Sequence, residues 1–581
     1  MTASSAAGSI ASSSPLPKWQ LALAVGAPVA LGLGYMYYKN STKSASKPDR
    51  GKAKGNIKEN GTSADKQISI DGEISPKGQP LTEPANETQL EKAQRYKNEG
   101  NNFFKAGKYD EAISWYNKAI ETCPTENPID LATFYHNRAA AYEHLKKYSA
   151  VKADCTKALE FNPRYIKALQ RRARAMEHSK ELELVLEDVT AACILERFNN
   201  QSTLMMADRV LKELGRQHAL EHMAKKKPVM PSKHFIKTYF SSFRKDPILA
   251  TDDEQSTDNI TSDFESVRKA LKEESYDDVI PLCTEEINAL ESDSSLRKMK
   301  ILLLRATFYL LLGQHEEAIA DLETIINSDS ASKEVKANAL IKRASMYMQL
   351  ENPTKCFADF DLAIEIDPDC SDIYHHRGQV NLLLEKVEEA KADFQKAVDL
   401  NPTFAVAFVQ KCYTDYRYGH MKKDVYLMEQ AMQGFQDAFD KFPDCSECYT
   451  LYAQMLSDVQ EYAKADSYFA KAIEKDPNNA TIHVHRGLLQ LQWNGNIDKA
   501  MEYIKKALEM DDKCEFGYET LGTIEVQRGN MKEAIELFDK ALELGRTAIE
   551  LTHIFSLKDA AQTQLTVTER LGMDLSWLGM S

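Results

Sequence analysis

Five side chains of this sequence carry hydrogen-bond donors at spacings that suit an acidic ligand. Lys97 and Asn101 lie four residues apart, and so do Lys167 and Arg171 in the stretch YIKALQRRARA. Side chains at that spacing leave the same face of a helix. Asn137, in NRAAAY, falls at the corresponding place between the two pairs. Like charges four apart destabilise a helix slightly, a cost that is explained when an anion sits between them. Two lysines, an arginine and two amides converging in one groove would grip a pair of carboxylates through charge-assisted bonds and amide donors. Taken singly, each residue is better read as part of a solvated basic helix face. The joint register is what favours a binding site.

Other chemistry finds little footing. Cys445 and Cys448 form the single CxxC, and a zinc site would need a second pair or a histidine pair at ligand spacing, which does not follow. The ten cysteines read as thiols of a reducing compartment. No P-loop, GxSxG, HExxH or kinase signature is found. No enzyme, catalytic residue, metal or cofactor is therefore expected, and His136 is expected to line the groove beside Asn137. The formal net charge of -14 argues against a nucleic-acid partner, which would require a basic face, and favours basic or neutral ones.

The elements that must position these donors are repeated. From Tyr96 the chain reads YKNEGNNFFKAGKYDEAISWYNKAIETCP, with Tyr96, Gly100, Phe103, Ala112, Tyr116, Ala119 and Pro124 at the spacing of a tetratricopeptide (TPR) repeat, whose period is ~34 residues. Two antiparallel helices must approach closely, so Gly100 and Ala112 keep the crossing narrow while Phe103 and Tyr116 fill the groove. Pro124 ends the second helix. Later copies keep the frame: Gly378, Ala390, Phe394, Ala397 and Pro402 in one, Ala431, Phe435, Ala438 and Pro443 in another, and Gly522, Ala534, Phe538 and Ala541 in the last. The count comes to about eleven, so the expected fold is an all-α TPR solenoid. Residues 89–226 are expected to form a three-repeat clamp domain, 227–260 a connecting segment, 261–545 a second TPR array and 546–581 capping helices. Stretches outside the repeats are too short for a catalytic domain.

The amino-terminal part differs in kind. Residues 19–38, WQLALAVGAPVALGLGYMYY, carry no charge, and twenty residues at ~1.5 Å each span ~30 Å, the thickness of a bilayer core. Trp19 and Tyr35, Tyr37 and Tyr38 suit the two interfaces. Only Lys18 precedes this run and the first arginine is Arg50, which disfavours a cleaved signal peptide or a presequence. Lys39, Lys43, Lys47, Arg50, Lys52 and Lys54 follow, so residues 1–18 are expected to be a short tail across the membrane and the bulk of the chain to lie in the cytosol. Ala22, Gly26, Ala30 and Gly34 form a small-residue ladder that would let spans associate, although chance in an Ala/Gly-rich run explains it equally well. Residues 39–88 read as a solvated, disordered linker.

The five donor positions are those used by the carboxylate-clamp TPR domains, which this stretch resembles and which bind the Glu-Glu-Val-Asp carboxyl terminus of heat-shock chaperones. With its anchor, linker, clamp-bearing repeats and long second array, the chain over essentially its whole length resembles the family of large, 70 kDa-class TPR import receptors of the mitochondrial outer-membrane translocase. That resemblance implies a single-pass protein of the mitochondrial outer membrane. Its implied partners are cytosolic chaperones of the 70 and 90 kDa classes, hydrophobic carrier-type preproteins with internal targeting signals, and other translocase subunits that take the client to the import pore. In the central repeats, Ile341, Ser345 and Met348, then His375, Gln379, Leu382 and Leu383, are expected on the inward positions as an adaptable preprotein groove. The plainer alternative is that they pack between helices. A TPR co-chaperone or adaptor on another membrane, such as the endoplasmic reticulum, would share the clamp, whereas a soluble co-chaperone would lack the apolar span.

Overall fold

The computed structural model describes residues 87–244, 246–248, 265–290 and 296–573. The expected span at 19–38, nearly all of the linker and Trp577 lie outside them. All regular structure among the described residues is helical, and no helix there is long and apolar enough to cross a membrane. Backbone contacts divide the chain between Ala207 and Asp208 into two units.

In the first unit, consecutive helices pair as hairpins: α1 (Gln89–Lys105) with α2 (Tyr109–Thr122), α3 (Pro128–His144) with α4 (Tyr148–Phe161), and α5 (Ile166–His178) with α6 (Leu182–Leu195). Then come α7 (Gln201–Met223), which crosses the boundary, and α8 (Lys233–Ser241). Eight further hairpins follow in the second unit, from Glu265–Lys272 with Val279–Ala289 to Glu515–Gln527 with Met531–Leu544. The helix Ala548–Leu571 closes the last of them.

Local chemistry sets the helix ends. Thr88 caps α1 through a reciprocal capping box with Glu91, and Thr547 does the same for the closing helix with Glu550. Pro128 and Pro353 sit in first helical turns, where a missing N–H costs nothing. Inside the hairpins the turn is made by one residue in the left-handed region. Gly107 and Gly313 fill that place at φ 74°, but Lys146, Lys180, Glu351 and Glu385 fill it too, at 55–61°. The next N–H then reaches back to seal the helix end, as Lys147 N does to Tyr142 O at 2.9 Å.

Two kinds of contact hold the hairpins shut. One is the small residue against a ring: a Cβ on Gly100 would fall 2.6 Å from Tyr116 Cε1, and one on Gly522 would fall 2.7 Å from Phe538 Cε1. The corresponding rings of Phe360, Phe394, Phe435 and Phe469 are likewise buried. The other contact is an ion pair that motif reading does not reveal. Arg138–Asp154, Arg172–Asp188, Arg305–Asp321, Arg343–Asp359 and Arg377–Asp393 each join two residues sixteen apart, from the first helix of a hairpin to the second. In each, two guanidinium nitrogens bond both oxygens of a buried carboxylate.

The sequence pattern carries the first module to residue 226, but the structure groups residues 208–223 of α7 with the second unit. The reason is close packing on the closing helix. Ser556 Oγ donates to Leu211 O at 3.1 Å, His218 Nδ1 lies 2.9 Å from Asp559 Oδ2, and a Cβ on Gly215 would fall 2.5 Å from Ser556 Oγ. The expected connection at 227–260 is not a bare linker either, since α8 and the residues around it enter the core of the second unit.

Two substitutions in one hairpin test these devices with opposite signs. Asp188→Ala leaves the Arg172 guanidinium without its carboxylate and is expected to cost roughly 1.5–3 kcal/mol of stability. Lys180→Gly relieves a left-handed lysine and is expected to add about 1 kcal/mol. Urea-unfolding midpoints of the full chain, followed by helical circular dichroism, would show both.

Candidate functional site

The first helices α1, α3 and α5 of the first unit carry all five expected donors. Asn101 on α1 and Asn137 on α3 touch: Asn137 Nδ2 donates to Asn101 Oδ1 at 3.3 Å. Tyr116, the ring that closes the first hairpin, donates its hydroxyl to the same oxygen at 2.8 Å. With that oxygen engaged twice, the capacity of Asn101 toward a ligand is that of a donor.

Arg171 on α5 is held from two sides. Its Nε donates to Glu143 Oε2 at 2.7 Å, its Nη1 donates to the His136 carbonyl at 3.3 Å, and the same Nη1 contacts His136 Nε2. The guanidinium is thereby pinned to the face of α3 beside Asn137, and these contacts leave its Nη2 for a partner. Arg174 also bonds Glu143, at 3.0 Å from Oε1. Burial alone would raise the carboxyl pKa of Glu143, but the hydrogen bonds and charges of Arg174 and Arg171 hold it below its ordinary value.

His136 is buried beneath Arg171, with Nδ1 3.1 Å from the Tyr165 hydroxyl. Its pKa is lowered from 6.5 to about 3, first by burial and then by the charge of Arg171, with Lys167 adding to the same effect. A neutral imidazole can accept from Arg171, whereas an imidazolium could not. Lys167 is exposed and Lys97 half-buried, and neither has an ion-pair partner among the described residues. Asn101, Asn137 and Arg171 are thus linked through α3, with Lys97 and Lys167 on the two flanking first helices.

Sequence reasoning placed His136 at the groove but missed Glu143 and the hydroxyl of Tyr116. A signal for Glu143 existed: it lies seven residues beyond His136, two turns along the same face of α3.

The expected preprotein residues are placed differently. Ile341 and Met348 are buried in one core cluster with Ile236, Tyr239, Phe240 and Phe243, and His375, Gln379, Leu382 and Leu383 are also buried. Ser345 alone of the seven keeps partial exposure, with its hydroxyl donating to Ile341 O at 3.0 Å. Six of the seven thus pack between elements. One reason is that α8 and the residues after it share the core of Ile341 and Met348.

Models described as "TPR repeat" match residues 100–145, and models described as "Tetratricopeptide repeat" match residues 132–165, 300–332, 337–370, 371–404, 453–513 and 517–545. The human protein described as "Mitochondrial import receptor subunit TOM70" is 46% identical over 577 residues, covering 96% of this chain and 93% of that one. This chain belongs to the TOM70 family. A yeast TOM70 is 27% identical over 541 residues, covering 84% of each chain. The crystal structure of yeast Tom70 aligns with 83% of this chain and 99% of its own, at 24% identity and a TM-score of 0.48. As a TOM70-family protein the chain is a mitochondrial import receptor built on an all-α TPR scaffold, and it is not an enzyme.

The buried imidazole makes a testable point. Between pH 6.5 and about 3 the unfolded chain takes up a proton on His136 that the fold refuses, so stability is full above that window and declines on acidification. Nuclear magnetic resonance is expected to show the His136 ring, assigned with His136→Gln, without a titration step above about pH 4. A step near pH 6.5 would show that the ring is not held neutral under Arg171.

Proposed function

We propose that the first unit docks the acidic carboxyl terminus of cytosolic heat-shock chaperones of the 70 and 90 kDa classes. Lys97, Asn101, Asn137, Lys167 and Arg171 would grip the terminal carboxylate and the side-chain acids of a Glu-Glu-Val-Asp tail. The observation that supports this most is the meeting of donors from three hairpins: Asn137 on Asn101 at 3.3 Å, with Arg171 pinned by Glu143 at 2.7 Å and by His136. Pre-placed donors spare the binding reaction the cost of ordering long side chains. The second array would then receive hydrophobic carrier-type preproteins delivered by the chaperone and release them toward other translocase subunits. The apolar run at 19–38 would hold the receptor in the mitochondrial outer membrane as a single pass, with its repeats in the cytosol.

Calorimetry with a synthetic peptide ending in Glu-Glu-Val-Asp tests the clamp. Arg171→Ala is expected to weaken binding by about 10- to 100-fold, as removal of a charge-assisted bond does, and binding should fall as salt rises. Amidation of the peptide's carboxyl terminus should weaken it comparably. Equal affinity of the wild type and Arg171→Ala would remove the proposal. For the anchor, deletion of residues 1–40 should move the protein from the membrane pellet to the supernatant on fractionation of mitochondria, and continued sedimentation would refute that part.

A further inference from the structure

The stretch around α8 belongs to no repeat, yet its apolar side chains are core. Met230, Ile236, Tyr239, Phe240 and Phe243 are all buried in the second unit. They recur at 236, 239, 240 and 243, one stripe of an amphipathic helix continued past its end. The stripe lies across the first helices of three successive hairpins. Phe240 meets Phe308 on the helix Leu296–Leu311 at 6.3 Å between ring centres. The Lys342 ammonium, on Lys333–Gln349, stands 5.0 Å from the centre of the Phe243 ring. Phe243 packs on His376, on Ser371–Leu383, at 4.4 Å, and Arg244 N donates to Asp372 Oδ1 at 2.9 Å. At the other end Arg546 covers the Phe235 ring at 4.0 Å, and Lys513 Nζ donates to Met230 O at 3.0 Å. First helices are the face that a TPR array turns toward bound segments. The chain has laid one of its own segments there.

Three features mark this segment as an occupant in addition to a part of the core. Its deepest polar contact is an ion pair, Lys342 Nζ to Asp246 Oδ2 at 3.1 Å, with side chains 0% and 2% exposed. Buried pairs of this kind return little net stability for the desolvation they require, but they fix register, and another carboxylate could replace Asp246 on Lys342. The fit on the face is also incomplete: Asn338 Oδ1, His376 Nε2 and Gln379 Nε2 are buried with no hydrogen-bond partner among the described residues. Asn338 lies one turn before Lys342, and Gln379 one turn after His376. A different segment could satisfy those groups. Finally, α8 has nine residues, too few to persist alone in water, so it takes its helical form from the face it covers.

We propose that residues 230–248 are a built-in, displaceable occupant of the inner face of the second array. The face therefore takes an amphipathic helical segment with apolar or aromatic side chains at i, i+3, i+4 and i+7 and a carboxylate at i+10. This rests on the reading of the second array as the preprotein receiver and names the class of segment that would be received. It also accounts for the burial of Ile341 and Met348.

The test uses the full chain and a fluorescent synthetic peptide copying residues 230–248. Phe240→Ser/Phe243→Ser weakens the internal copy and is expected to bind the peptide at least tenfold more tightly than the wild type. An Asp246→Asn peptide should bind that variant less well, and Lys342→Met should erase the difference. A variant that keeps its helical circular dichroism but binds the peptide no better overturns the proposal. Hydrogen exchange on the unaltered protein supplies a second reading that needs no variant. Amides of residues 236–244 should exchange through local opening faster than those of 301–308, and exchange only by global unfolding overturns the proposal as well. A carrier-type preprotein segment measured in parallel separates the two readings. Equal binding to wild type and variant overturns the displaceable occupant while the preprotein reading stands. Absence of binding to either, with the peptide result as expected, removes the preprotein reading alone.

Discussion

Everything in this receptor depends on how closely the two helices of a hairpin approach. Where Gly100 faces Tyr116 and Gly522 faces Phe538, no side-chain atom can be added between them without displacing a ring. In five other hairpins an arginine and an aspartate sixteen residues apart resist rotation as well, because both oxygens of the carboxylate are taken by one planar fork, and the hairpin of Gly378 and Phe394 has both devices. A rotation of either helix by one residue would separate the pair and drive the ring into backbone. Where these contacts are made, the rotational setting of the first helix is fixed, and so is the direction of the side chains on its free face.

That setting gives the proposed clamp its order. The hydroxyl of Tyr116 donates to Asn101, so the ring that closes the first hairpin also orients an amide of the proposed site. Arg171 is held by Glu143 and by a histidine that burial keeps neutral. Like-charged groups are thus gathered before any ligand arrives, and their repulsion is offset by a carboxylate that belongs to the site. The anion expected from the spacing of Lys167 and Arg171 is in part already present as Glu143, on the neighbouring hairpin.

The second array shows the same physics with a different outcome. Its first helices carry the inward residues that a client groove would need, but their apolar surface is met from within the chain. A stretch between repeats is amphipathic enough to lie across three hairpins, and it brings its own counter-ion for the buried Lys342. A long array with an exposed apolar inner face would be prone to self-association. Here that surface is covered by an internal segment.

The sequence by itself determined the repeats, their number and the small and aromatic positions inside the hairpins, and it placed five candidate donors on first helices. All of these follow from helix periodicity and from steric limits that act over one or two turns. It also indicated the family, through the apolar run, the polar linker, the clamp-bearing repeats and the long second array taken together. The tertiary structure alone decided what those positions meet. The sixteen-residue ion pairs, Glu143 beneath Arg171 and the union of α8 with the residues around Ile341 join side chains whose pairing leaves no periodic mark. Residues 208–223 show the limit most clearly. Their helical pattern was legible, but only the packing of Gly215 against Ser556 assigns them to the second unit. Local periodicity fixes which face of a helix is apolar, and only the folded chain fixes what covers it.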